Sequence, residues 1–240
     1  MQLKEFQEGI IDSAVQFHNE LNPLIWEGDV LNASVRYKLL LIAQHFINFI
    51  DIPKIHLVDV TISGSNAAYT YTEHSDLDLH LIVDVPKASE FHLKPLFDAK
   101  KNQYNYNHNI RIKDIDVELY VQPSTEAHIS NGIYSVLDDK WIKKPKLVKV
   151  NINDEDVELK VKNYVNKIKR ALSSKDIDEV QHVKNELGKL RKSGLATQGE
   201  FGVENLAFKV LRAKGFIDKI RQHVYDLEDK NLGLKEKYEQ

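Results

Sequence analysis

The segment Asp76-Leu77-Asp78-Leu79-His80-Leu81 alternates strictly between ionisable side chains and leucine. Period-two alternation is a strand signal, and it sets the three leucines on one face and Asp76, Asp78 and His80 on the other. The leucine face must be buried against something, so the chain needs a sheet covered on one side. The other face holds two carboxylates within about 7 Å along the strand. Without a cation they repel and raise each other's pKa. A hard divalent ion resolves the conflict, and Mg²⁺ favours one or two protein carboxylates completed by phosphate oxygens and water.

A second acidic strand follows. In Asp114-Ile115-Asp116-Val117-Glu118-Leu119, the acids Asp114, Asp116 and Glu118 share one face, and Ile115, Val117, Leu119 and Val121 share the other. If the two strands are neighbours, a third carboxylate joins the pair. Three carboxylates suffice for two metal ions about 4 Å apart, the arrangement of in-line phosphoryl or nucleotidyl transfer. Ahead of both lies Val60-Thr61-Ile62-Ser63-Gly64-Ser65-Asn66, a strand running into Gly-Ser. A glycine there allows a tight turn and close approach to a ligand. A following helical turn together with the Ser65 hydroxyl would cradle phosphates. Gly-Ser or Asp-x-Asp alone is a chance occurrence; the ordered set is much rarer.

The rest of the chain supplies the scaffold. Leu3, Phe6, Ile10, Ala14 and Phe17 predict a helix over residues 1–20, and a second runs from about Ala33 to Phe49 with Asn32 or Ser34 as cap. Residues 22–28 read as a linker. Strands are expected at 54–62, 77–83 and 115–121, with a short one at 110–113, a helix at 87–101 and a loop at 104–109. This order predicts an α/β (α+β) fold. From 153 onward apolar stripes predict three helices: Val157 to Leu172, Ile177 to Leu190, and one from Leu206 to Leu227. They form a small bundle, with dimerisation through the last stripe as the alternative. The expected domains are an N-terminal helical segment (1–52) packed on the core, a core (53–150) and a C-terminal helical domain (151–240).

Composition excludes several classes. The chain has no cysteine, so disulfides, thiol catalysis and Cys-ligated metals are out. The first eight residues lack the apolar core of a signal peptide. The greasiest run, Leu39 to Ile50, is 12 residues and includes Gln44, His45 and Asn48, too short and polar for a span. A cytoplasmic protein without membrane contact is expected. The net charge of −3 hides an asymmetry: residues 1–139 carry 10 Lys+Arg against 20 Asp+Glu, and residues 140–240 carry 23 against 16. The acidic half contains the carboxylates. The basic half, with Lys140, Lys143, Lys144, Lys146 and Lys149, is expected to face phosphates or an acceptor across a cleft. Tyr69, Tyr71, Tyr134 and Trp141 are candidate base-stacking residues, with core packing the commoner role of such side chains. The glycine-rich run 191–202 reads as a loop, structural through Thr197 and Glu200 capping or acceptor-binding with Lys209 and Arg212.

Ser63-Gly64-Ser65, Ser75-Asp76-Leu77-Asp78 and Val117-Glu118-Leu119 resemble the signature of the DNA polymerase-β-like nucleotidyltransferase superfamily. Gly64-Ser65-Asn66-Ala67 with Tyr69, Ser75 to His80, and Val117 to Gln122 resemble more closely the stand-alone nucleotidyltransferases carried by tailed phages. Leu24-Ile25-Trp26-Glu27 and Gly199-Glu200-Phe201 extend that likeness. The motif covers about a quarter of the chain, and Tyr69 departs from it where many members have a second glycine. The resemblance implies a nucleotidyltransferase core with a mixed sheet and Mg²⁺ or Mn²⁺ on Asp76 and Asp78. Glu118 is the implied third carboxylate, with Asp116 the alternative. Gly64, Ser65, Asn66, Tyr69 and Ser75 would hold the nucleotide. It implies transfer of a nucleoside monophosphate, with ATP as first candidate donor, to a hydroxyl of RNA, protein or a small molecule. The rival readings are a catalytically silent nucleotide sensor and an antitoxin-like or anti-defence binding protein.

Overall fold

The computed structural model describes residues 16–52, 55–73, 75–128, 130–147, 154–197, 199 and 201–233. Most of the helix expected over 1–20 lies outside them, and residues 16–20 are not helical. The described residues form a mixed α/β structure with six α-helices and a mixed sheet. They divide into two compact units, residues 16–148 and the residues after 148.

The first unit starts with a hairpin of β1 (Trp26–Glu27) and β2 (Val30–Leu31), where the sequence reading placed a linker. Helix α1 (Ala33–Ile50) follows, its Asn32 cap accepting hydrogen bonds from Ser34 N and Val35 N. Then come β3 (His56–Ser63), a 3₁₀ turn (Ser65–Ala67), β4 (Leu77–Asp84), α2 (Lys87–Asn107), β5 (Arg111–Ile112), β6 (Ile115–Pro123), β7 (Ile133–Ser135) and β8 (Lys140–Lys143). The six strands from β3 onward make one sheet in the order β5-β6-β4-β3-β7-β8. Only β4 and β6 run parallel, joined by a crossover that contains α2; the other pairs are antiparallel.

The alternation sets the layers. Leu77, Leu79, Leu81 and Val83 are fully buried, and so are Ile62 and Leu119 beside them. Helix α1 covers β3 and β4, and α2 covers β6 and packs on α1. Helix α2 runs past Lys101 to Asn107, through residues expected as loop. Tyr104 explains the difference: it is 1% exposed, wedged against Phe46 and Phe49, and its hydroxyl meets His45 Nδ1 at 2.7 Å. Burial of that ring offsets the weak propensity of its polar neighbours.

The second unit holds α3 (Asp154–Ser173), α4 (Ile177–Thr197), α5 (Val203–Ala213) and α6 (Phe216–Leu232) around one apolar core. The single helix expected from 206 to 227 is two, broken at Gly215, whose φ of 71° is left-handed. The expected loop at 191–202 is helical through Thr197. At Gly194 an added Cβ would lie 2.8 Å from Asn205 N and from Glu204 Cβ, so this glycine lets α4 approach α5. Glu200, the partner in the expected capping box, lies outside the described residues.

Candidate functional site

Strand register brings the motif residues together. Ser63 pairs with Asp78 across β3–β4, and Asp78 pairs with Glu118 across β4–β6. Directly paired residues share a face, and neighbouring strands lie about 4.8 Å apart, so Ser63, Asp78 and Glu118 form one polar row across the sheet. Asp76 and Asp116 lie two residues back on that face. Asp76, Asp116 and Glu118 line an open cavity of about 280 Å³ together with Asn105 in α2 and Asn109 just past its end.

Asp78 lies against the glycine turn. Gly64 has φ 76°, and a Cβ added there would stand 2.0 Å from Asp78 Oδ2. Both facts demand glycine, for backbone strain and for space. They place the Asp78 carboxylate directly against the turn between β3 and the 3₁₀ segment.

Asn66 fixes the turn to the start of β4. It is 1% exposed, and its amide donates to Ser75 O at 3.1 Å and Asp76 O at 2.9 Å. Its Oδ1 accepts from Asn22 Nδ2 at 2.8 Å, and its carbonyl accepts from Trp26 Nε1 at 2.7 Å. These bonds commit the Asn66 side chain and carbonyl to protein contacts, and they give the Leu24–Glu27 segment its place in the site. Ser65 Oγ donates to Ser75 Oγ at 2.8 Å, which also accepts from Thr72 N. Tyr69 is half-buried against the core, and its carbonyl accepts from His18 N.

The carboxylates on β6 have cationic partners. Arg111 Nε is 2.6 Å from Asp116 Oδ1, and Lys101 Nζ is 3.9 Å from Glu118 Oε1 and 4.4 Å from the centre of the Tyr120 ring. Among the described residues, no group of three or more His, Asp or Glu side chains is assembled to hold a metal ion. The donor set still suits a hard cation. The acids are oxygen donors on one face, and Mg²⁺ is commonly held by only one or two carboxylates with phosphate and water completing its shell.

His80 continues the polar face but is committed to the protein. It meets Ser63 Oγ at 3.2 Å and Gln122 Oε1 at 3.1 Å, and its ring lies over Tyr120 and His128. Burial, then the nearby His128, push its pKa down to about 3, so it is neutral at physiological pH. Thr61 Oγ1, on the same face, is buried with no hydrogen-bond partner among the described residues. The candidate stacking aromatics mostly pack on one another. Trp141 stacks on Trp26 at 4.8 Å, and Tyr134 meets both edge-on and donates to Asp139 Oδ1. Burial, reinforced by that bond, raises the Tyr134 pKa to about 12. Tyr71 stacks on His18.

Lys140, Lys143 and Lys144 lie in the first unit, at the β8 edge, so the basic run begins on the same unit as the carboxylates. Lys140 pairs with Asp138 and Lys144 with Asp29, while Lys143 Nζ donates to Ser130 O. Lys149 lies outside the described residues. Sequence reasoning missed Ser130, Lys101, Arg111 and Asn22. Gln122, two residues beyond Tyr120, was visible as a continuation of the polar alternation but was given no role. Comparisons with protein-family models, with curated proteins and with solved structures find no match. No described helix is long and apolar enough to cross a membrane.

Proposed function

We propose that the sheet-bearing unit is a divalent-metal-dependent nucleotidyltransferase. It would transfer a nucleoside monophosphate, with ATP as the first candidate donor, to a hydroxyl of RNA, protein or a small molecule. One observation carries this reading: the Asp78 carboxylate abuts the backbone of Gly64, with Glu118 in direct register on the next strand. A carboxylate seated against a glycine turn, with a second carboxylate in register beside it, is the placement a metal–triphosphate complex at that turn would use.

In this proposal Asp76 and Asp78, with Glu118, hold Mg²⁺ or Mn²⁺, which supplies charge neutralisation at the phosphates. Asp116, tied to Arg111, stays outside. Gly64 and Ser65 meet the β- and γ-phosphates, with the Ser65 hydroxyl exchanging Ser75 for a phosphate oxygen. Asn66 and Ser75 hold the turn and strand together. The acceptor oxygen attacks the α-phosphorus in line and its proton passes to Glu118. The bond to the bridging oxygen breaks, and pyrophosphate leaves with the electron pair. The protein's part is positioning and electrostatics.

The Lys101–Glu118 and Arg111–Asp116 pairs favour a second reading, a nucleotide-binding module that does not transfer. One assay separates the two. The full chain is incubated with each α-labelled NTP, Mg²⁺ or Mn²⁺, and total RNA or cell lysate, beside an Asp76→Asn/Asp78→Asn variant. Transfer predicts a labelled acceptor that falls at least about a hundredfold in the variant. Metal-dependent NTP binding without any labelled acceptor supports the module, and absence of both removes the nucleotidyltransferase fold reading altogether.

A further inference from the structure

The glycine turn has a second wall that the motif does not include. Gly64 N donates to Ser130 Oγ at 3.3 Å, and Lys143 Nζ donates to Ser130 O at 2.5 Å. Gly132 locks this segment in place. A Cβ there would stand 1.8 Å from Ala67 O and 3.2 Å from Pro145 Cβ, so the chain entering β7 lies directly on the 3₁₀ turn. Pairing of β7 with β3 and of Ile133 with Lys143 fixes the β8 lysine over the same place.

The charges around it are unequal. Lys140 and Lys144 have carboxylate partners, Asp138 and Asp29. Lys143 has no carboxylate within ion-pair distance among the described residues, and its contact is a neutral carbonyl. An ammonium has three donors, so one bond to Ser130 O leaves two. The Ser130 hydroxyl accepts from Gly64 N and keeps its own proton to donate. Ser130 thus links the Gly64 N–H, its own hydroxyl and the Lys143 ammonium at the turn against which Asp78 lies.

We infer that Ser130 and Lys143 form the second wall of the triphosphate site, with Lys143 as the cation that binds the terminal phosphates of an NTP. This rests on the nucleotidyltransferase reading and deepens it. Without ligand, Ser130 Oγ occupies the Gly64 N–H. On binding, a phosphate oxygen takes that N–H together with the Ser130 proton and a Lys143 donor. The ligand class follows: a nucleoside triphosphate is favoured over its monophosphate because only the triphosphate reaches Lys143.

Calorimetric titration of the full chain with ATP, AMP and inorganic tripolyphosphate in Mg²⁺ tests this. Wild type should bind ATP and tripolyphosphate more tightly than AMP. Lys143→Met should raise the Kd for ATP and tripolyphosphate about tenfold or more, from the loss of charged hydrogen bonds, and leave AMP within about twofold. Lys143→Arg should retain most of the preference, and Ser130→Ala should move it the same way by less. Lys143 is exposed, so Lys143→Met should melt as wild type does; if it does not, Lys143→Gln carries the comparison. An ATP-to-AMP preference unchanged by Lys143→Met overturns the inference and leaves the nucleotidyltransferase reading standing. Equal weakening of ATP and AMP also overturns it, because that marks a structural role. A wild type that binds neither ATP nor tripolyphosphate overturns both.

Discussion

Gly64 in the sheet unit and Gly194 in the helical unit both have no room for a side chain, for different reasons. At Gly194 the missing Cβ would meet the backbone and side chain of α5, and the glycine serves helix packing. At Gly64 it would meet a carboxylate oxygen, and the backbone is also left-handed. A crowded glycine where two helices meet improves packing, which is its own explanation. A glycine that admits an acidic oxygen to a backbone turn gains no packing of that kind. The contrast separates a segment that serves helix packing from one that holds a carboxylate against a strand–turn junction, where we propose the triphosphate binds.

The largest expected effect is at Gly64. Gly64→Ala combines a left-handed backbone with displacement of Asp78, and should cost about 3 kcal/mol or more in denaturant unfolding and abolish metal-dependent nucleotide binding. Adding Asp78→Ala removes the steric conflict and should recover part of the stability but none of the binding. Next comes Asn66→Ala, which leaves Asn22 Nδ2 without its buried acceptor and Ser75 O and Asp76 O without their amide donor, while the backbone carbonyl that accepts from Trp26 stays. It should cost about 2–3 kcal/mol and weaken binding by loosening residues 75 and 76. Gly194→Ala should cost about 1–2 kcal/mol by overpacking α4 on α5, with nucleotide binding unchanged. A loss of binding there would erase the contrast between the two glycines.

The effect that is smallest at neutral pH is a pH slope. His80 has a folded pKa near 3, below the ordinary 6.5, so the unfolded chain takes up its proton first as pH falls. The stability associated with neutral His80 is present in full above pH 6.5 and is lost between 6.5 and 3, at no more than about 1.4 kcal/mol per pH unit. His80→Gln should flatten the unfolding profile in that window, and an unchanged slope would mean the ring is not buried as a neutral group.

The sequence made the central strands legible because β4 and β6 alternate apolar and polar residues, and the alternation fixes both the strand and its faces; β3 reads as a β-rich run leading into Gly-Ser. The edges were not legible. β7 and β8 are three and four residues long, too short for a period, and their place comes from pairing with β3 and from the Trp26, Tyr134 and Trp141 cluster. The break between α5 and α6 was hidden by a stripe that keeps step through Gly215, so only a left-handed backbone reveals it. Within the candidate site, Gly64, Asp76, Asp78 and Glu118 could be read because each sits in a local pattern. Lys143 was visible only as one of five lysines in a basic run, and Ser130 not at all, since their approach to Gly64 depends on strands some 70 residues apart in sequence closing on one another. Asn66 could be picked out as part of the motif, but its commitment to Asn22, Trp26 and residues 75–76 needed three dimensions.

The central claim is that Asp76, Asp78 and the Gly64 turn form one metal–triphosphate site. Mn²⁺ bound to the full chain can be counted by electron paramagnetic resonance with and without a non-hydrolysable ATP analogue. The account predicts Mn²⁺ bound together with the analogue at one nucleotide per chain, and none in Asp76→Asn/Asp78→Asn of unchanged melting temperature. Wild type that binds no Mn²⁺ with the analogue, or a folded double variant that binds it equally well, would contradict the account.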